Sequence, residues 1–167
     1  MLQTMQILTI ILVAIAMCPA IAHAMEYPGK MRLNRDAYLT VQHIYYPGFT
    51  FAGGGAEAVG TIASIVLLFL TPRGTPAFGL TCAAAFGMVG MQIVFWAYTQ
   101  PVNRFWMRNQ PLSNLGHDFF AAGPQGDGNS AADWRALRDR WELSHIVRAG
   151  LAFVGFLALL ATIALNH

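Results

Sequence analysis

Four stretches of this chain, about 7–25, 51–70, 77–99 and 146–165, are apolar almost throughout, and only Glu57 and Arg148 carry formal charge inside them. Each is long enough for the ~20 residues that cross the hydrocarbon core of a bilayer. Backbone polar groups must be paired within the segment there, so such runs fold as helices. The composition agrees: 56% of residues are apolar and 11% charged, against about 25% charged in an ordinary soluble domain. No internal repeat and no second compositional zone is visible. The expectation is an all-α integral membrane protein, residues 1–167 forming a single four-helix transmembrane bundle with an amphipathic extension before the last helix.

Charge sets the expected orientation. Ala22-His23-Ala24 has the small-x-small form of a signal-peptide cleavage site, but the leader "MLQTMQ" carries no Lys or Arg, so this segment is read as a retained helix. Lys30, Arg32, Arg35, Arg104, Arg108, Arg135, Arg138, Arg140 and Arg148 fall on one side of the resulting topology, and Arg73 alone falls on the other. The basic side is the cytoplasmic one, which places both termini outside.

The connections differ in kind. "TPRGTP" makes the second and third spans antiparallel neighbours. The 26–50 connection has room for an interfacial helix around 34–45, starting near Asn34 or Asp36, with Tyr45, Tyr46 and Phe49 in the aromatic belt. The 100–132 connection ends in the Gly- and Asp-rich "AAGPQGDGNSAAD", the expected mobile piece. Residues 131–145 read as an amphipathic helix continuous with the last span, capped by Ser130 and Asp133. Its inner face carries Trp134, Leu137, Trp141 and His145, and Arg135–Asp139 and Arg138–Glu142 are i,i+4 pairs.

In lipid, close backbone approach replaces the hydrophobic effect as the force between helices. Ala52, Ala56, Gly60 and Ser64 on the second span, and Gly79, Ala83 and Gly87 on the third, form small-residue stripes that would pack on each other or dock a partner subunit. Pro19 and Gly53-Gly54-Gly55 mark kinks or close approaches. Cys18 and Cys82 stand apart inside apolar runs, as core residues, and form no C-x-x-C pair, which excludes a thiol-redox centre. A net charge of +2 and the absence of basic runs interleaved with aromatics exclude nucleic acid as a partner.

Ionisable residues in membrane helices are expensive and point to function. Here His23, Glu26, His43, Glu57, Glu142, His145 and Arg148 converge on the cytoplasmic half of the expected bundle, with Gln92 and Gln100 at the same end. Glu57 lies deepest, roughly 10–15 Å past the start of its span, with Arg148, His145 or His23 as its expected partner. His23-x-x-Glu26 and Glu142-x-x-His145 each share a helix face, and carboxylates with E-x-x-H on facing helices are the ligand set of di-metal bundles. His23, Glu26, Glu142 and His145 are therefore candidate ligands for Fe, Mn or Zn. Haem held by His23 and His145 is a further option. The same residues also suit a structural salt-bridge cluster, or a metal-free pocket for a small apolar molecule.

"HAMEYPGKMRL" (23–33), "YLTVQHIYYPGF" (38–49), "PVNRFW" (101–106) and "WRALRDRWELSHIVRA" (134–149) resemble a family of small bacterial four-span membrane proteins of unknown function, grouped with fungal anthrone oxygenases. The resemblance implies a four-helix protein of the bacterial inner membrane. It also implies an O2-dependent oxidation of a polycyclic phenolic methylene to a quinone, without an obvious cofactor. Asn103, Trp141, His145 and Arg148 are the positions that carry the pattern.

Two functions fit these features. In one, the protein is an oxygenase or oxidoreductase acting on a lipophilic small molecule, with Glu57 and His145 as acid/base groups. Arg148 then stabilises negative charge, and Trp96 and Trp106 line the access route. In the other, it is a non-catalytic accessory subunit, docked by its small-residue stripes to a larger membrane complex or to its own copies. Four spans without a repeat leave little for alternating access, which disfavours a transporter.

Overall fold

The computed structural model describes residues 1–107, 111–122 and 134–165. Among them there is no strand, and four helices are long and apolar enough to cross a membrane. The first is α1 (Leu2–Lys30), followed by the short α2 (Arg35–Ile44). A π-helical turn, Phe49–Gly53, leads into α3 (Gly54–Leu70). The third span is α4 (Pro76–Val94), a second π-turn Phe95–Thr99, and α5 (Gln100–Met107). Then come α6 (Asn114–Ala121) and the last span, α7 (Trp134–Ala164). The four long helices close a ring: α1 packs on α3, α3 on α4, α4 on α7 and α7 back on α1. Val13, Leu67, Met88, Met91 and Leu159 fill its centre, each fully buried.

Local signals place the short elements where the sequence puts them. Asn34 caps α2, accepting the Ala37 N–H at 3.0 Å. Thr75 caps α4, accepting from Phe78 N–H at 3.2 Å, with Pro76 at the first helical position where its missing N–H is harmless. The amphipathic extension is continuous with the last span, as expected. The expected Ser130–Asp133 cap and the Gly-rich piece beyond Ala122 lie outside the described residues.

Four expectations are corrected. The small-residue stripes do not form the α3–α4 interface. A Cβ on Gly87 would stand 2.7 Å from the Leu151 carbonyl oxygen of α7, while Gly79 meets nothing within 4 Å and Ala83 is exposed. Gly60 rests on Leu12 of α1 and on Met88. The stripe on α4 does not keep one direction, because four-residue spacing drifts about 40° per step around a 3.6-residue helix, about 80° from Gly79 to Gly87. The cysteines are not both core residues, since Cys18 is exposed on the outer surface. Arg138 does not pair with Glu142. It takes Asp139 at 2.7 Å instead, because Glu142 is fully buried and already engaged. The 100–132 connection is not all loop, because α5 and α6 occupy much of it.

One close approach bears directly on the site. A Cβ on Gly53 would lie 2.8 Å from the Pro19 ring of α1. Gly53 thus lets the π-turn rest on α1 at the level of His23, and Glu57 follows one turn later.

Candidate functional site

The floor of the site is built by α3 and α7. Arg148 donates through one terminal nitrogen to Glu57 Oε2, across 91 residues of sequence. Its other terminal nitrogen lies 3.1 Å from His145 Nε2. His145 Nδ1 lies 3.0 Å from the Trp141 carbonyl oxygen, which can only accept. The hydrogen is therefore on Nδ1, and Nε2 accepts from the guanidinium. All three side chains are buried, and the pair is the kind of ion contact whose loss on one side strands a charge in the low-dielectric interior.

A second polar group sits beside it, toward the end of α1. The Lys30 ammonium is 3.1 Å from Glu142 Oε1 and 3.5 Å from Glu26 Oε2, and lies 4.8 Å over the Trp141 ring. Tyr38 of α2 donates to Glu142 at 2.8 Å, and Tyr45 donates to Glu26 at 2.6 Å. Burial, followed by the neighbouring Glu142 charge, raises the Tyr38 hydroxyl far above its ordinary value. Burial and the hydrogen bond to Glu26 do the same for Tyr45. His23 bridges the two groups: its Nδ1 is 3.5 Å from Glu26, and its ring meets that of His145 edge-on at 4.4 Å between centroids.

The structure thus gathers His23, Glu26, Glu142 and His145, but around a lysine. Among the described residues no three His, Cys, Asp or Glu side chains are grouped to hold a metal ion. The ammonium of Lys30 stands between the two carboxylates, where a ligand cage would need its cation. The donor set therefore does not fit a metal.

Above the floor lies an open-mouthed cleft. Its walls are aromatic: Tyr45, Phe49, Phe95, Phe119, Phe120 and Trp141. Both π-turns border it. A π-turn inserts a residue into a helix and re-aims the side chains beyond it, and such turns recur at functional sites. Tyr45 and Tyr46 also line this space. The short helices α2 and α6 cap the cleft, and α6 is tied down by Gln100, which donates to the Phe119 carbonyl at 2.7 Å, and by Arg104, which donates to that of Phe120 at 2.9 Å. Tyr46 OH accepts the Ser113 N–H at 3.1 Å.

Five lining atoms are buried without a hydrogen-bond partner among the described residues: His23 Nδ1, Glu57 Oε1, Arg148 Nε, Gln42 Nε2 and Trp106 Nε1. Glu57, His145, Arg148, His23 and Trp106 line the cleft, as does Asn103, which accepts from Trp141 Nε1 at 2.7 Å, whereas Glu26 and Glu142 are not among the lining residues. His43, Gln92 and Trp96 are not among the lining residues, and Trp96 donates to Gln92 at 3.2 Å on the outer surface. Sequence reasoning missed Lys30 and Gln42 as site residues. Lys30 had a signal in its i,i+4 spacing from Glu26.

These features define a multi-pass membrane protein with a ring-shaped bundle and a polar-floored, aromatic-walled cleft at one end. Its family follows from comparison: the model of the anthrone oxygenase family matches residues 42–158, and the chain belongs to that family. Neither curated proteins nor solved structures give a significant match.

Proposed function

We propose that the protein is a membrane oxygenase that converts a methylene of a flat, lipophilic phenolic ring system to a carbonyl with O2. The observation that carries this reading is the buried Glu57–Arg148 pair on the floor of an aromatic-walled cleft. Family membership supports the reaction class. Glu57 Oε1 is the lone-pair acceptor without a partner and is the base in this scheme. His145 has its Nε2 committed to Arg148, so it positions the guanidinium rather than taking the proton.

The steps balance. Glu57 removes a proton from the methylene, and the C–H electron pair delocalises to a ring oxygen held by Arg148. Such preorganised positive charge in a water-poor site stabilises a developing oxyanion strongly. The electron-rich ring reduces O2, a C–O bond forms, and the peroxide takes the proton back. Loss of water breaks the O–O bond and the second C–H bond and leaves the carbonyl. One methylene and one O2 give one carbonyl and one water.

The test is oxygen uptake by purified protein in lipid nanodiscs supplied with a hydroxylated anthrone. Wild type consumes about one O2 per substrate under this scheme, and Glu57→Gln lowers the rate about 100-fold or more, as loss of a general base does, while still purifying as a monodisperse species. Unchanged uptake in Glu57→Gln sinks the assignment. Stoichiometric Fe, Mn or Zn in the wild-type sample, lost in His145→Ala, would overturn the metal-free chemistry.

A further inference from the structure

Among the described residues, five buried polar atoms of the cleft lining lack a hydrogen-bond partner: His23 Nδ1, Glu57 Oε1 and the three donors Gln42 Nε2, Trp106 Nε1 and Arg148 Nε. A buried donor left without an acceptor is destabilising. Trp106 is the informative one, because an indole N–H only donates and cannot be reassigned by flipping, as an amide can. Trp141 and Trp96 each find a side-chain acceptor, on Asn103 and Gln92. Asn103 sits one turn before Trp106 on the same helix, yet its oxygen goes to Trp141.

Trp106 is also held firmly. It is 5% exposed, and Tyr38 meets it edge-on at 5.7 Å between centroids. Tyr38 is in turn fixed by its bond to Glu142. Gln42 follows Tyr38 by one turn on the same face of α2, is 4% exposed, and lines the cleft. The two donors therefore share the cap-side wall. Glu57 and Arg148 lie deeper: Glu57 is eight residues past Phe49, roughly 12 Å along the helix, while Phe49 packs against Tyr45 near the cap.

We propose that Trp106 and Gln42 are the specificity-determining donors of the cleft, and that they hold an oxygen acceptor, a carbonyl or phenolate oxygen, on the cap-side end of the bound ring system. This rests on reading the cleft as a ring-binding site, though not on the oxidation. A ligand matched to both ends carries one oxygen toward Arg148 and another toward Trp106, with bare ring edges between them against the aromatic walls.

Equilibrium binding to the protein in lipid nanodiscs, corrected with empty nanodiscs, tests this with two probes of one shape, anthraquinone and anthracene. Wild type is expected to prefer the oxygenated ring. Trp106→Phe is expected to weaken anthraquinone about five- to tenfold, the size of one neutral hydrogen bond, and to leave anthracene unchanged. Gln42→Leu should move in the same direction. A Trp106→Phe protein with both affinities unchanged, or with both lowered alike, overturns the assignment. So does a wild type that binds neither ring, which also ends the ring-binding reading. Ring binding with the expected discrimination but no oxygen uptake removes the oxygenase alone. Oxygen uptake with wild-type discrimination in Trp106→Phe removes this assignment alone.

Discussion

Tyr38 and Tyr45 connect the cap of the protein to its buried carboxylates, and both hydroxyls are held neutral by burial and by Glu142 and Glu26. Their folded values lie above the ordinary tyrosine value of about 10. The stabilisation they give is thus fully present below that pH and is lost as pH rises beyond it, because only the unfolded chain releases these protons. In a phenolate absorbance titration, two of the five tyrosines should ionise only as the protein unfolds. Smooth ionisation of all five in the folded protein would contradict the two buried bonds. At this scale the sequence was informative about deep charge and weak on its surroundings. Glu57 and Arg148 stand out because a membrane span tolerates so few ions. Lys30 read as a topology signal because Pro28 and Gly29 look like a helix end, whereas α1 continues through both. Gln42 offered no signal, because a neutral amide beside the membrane is unremarkable until its neighbours are known.

At the scale of elements, the spans and their continuity with the amphipathic extension were legible from hydropathy and helical period alone. Partner choice was not, because small residues permit close approach without saying to whom. Gly87 shows what settles it: the α7 backbone passes where its side chain would be. Gly87→Ala should destabilise the protein by about 1–3 kcal/mol, the range for overpacking. Gly79→Ala, which meets nothing within 4 Å, should be near neutral. Thermal unfolding in one detergent compares them, and equal effects would place the α4–α7 contact elsewhere. The accessory-subunit reading loses support here, because Gly60 and Gly87 are spent on α1, α4 and α7 within one chain.

At the scale of the whole molecule, eight of the nine basic residues among the described ones, all but Arg73, fall at the cleft end of the bundle. If the positive-inside bias orients this protein, the cleft faces the cytoplasm and both termini face away from it. A reporter fused to the C-terminus should be active only in the non-cytoplasmic compartment, and cytoplasmic activity would invert the topology. The same bundle also carries its cleft in a particular phase. Each π-turn adds one residue to its span, and one residue is about 100° of rotation about a helix axis. Below the turns, α3 and α4 keep the register that seals the bundle. Beyond the second turn, Asn103, Trp106 and Met107 of α5 line the cleft, while no residue of α4 does. In this third span, sealing and binding are thus set by separate stretches joined by a one-residue offset. Its binding end can therefore be re-aimed by an insertion or deletion at Phe95–Thr99 while the membrane-embedded seal stays as it is.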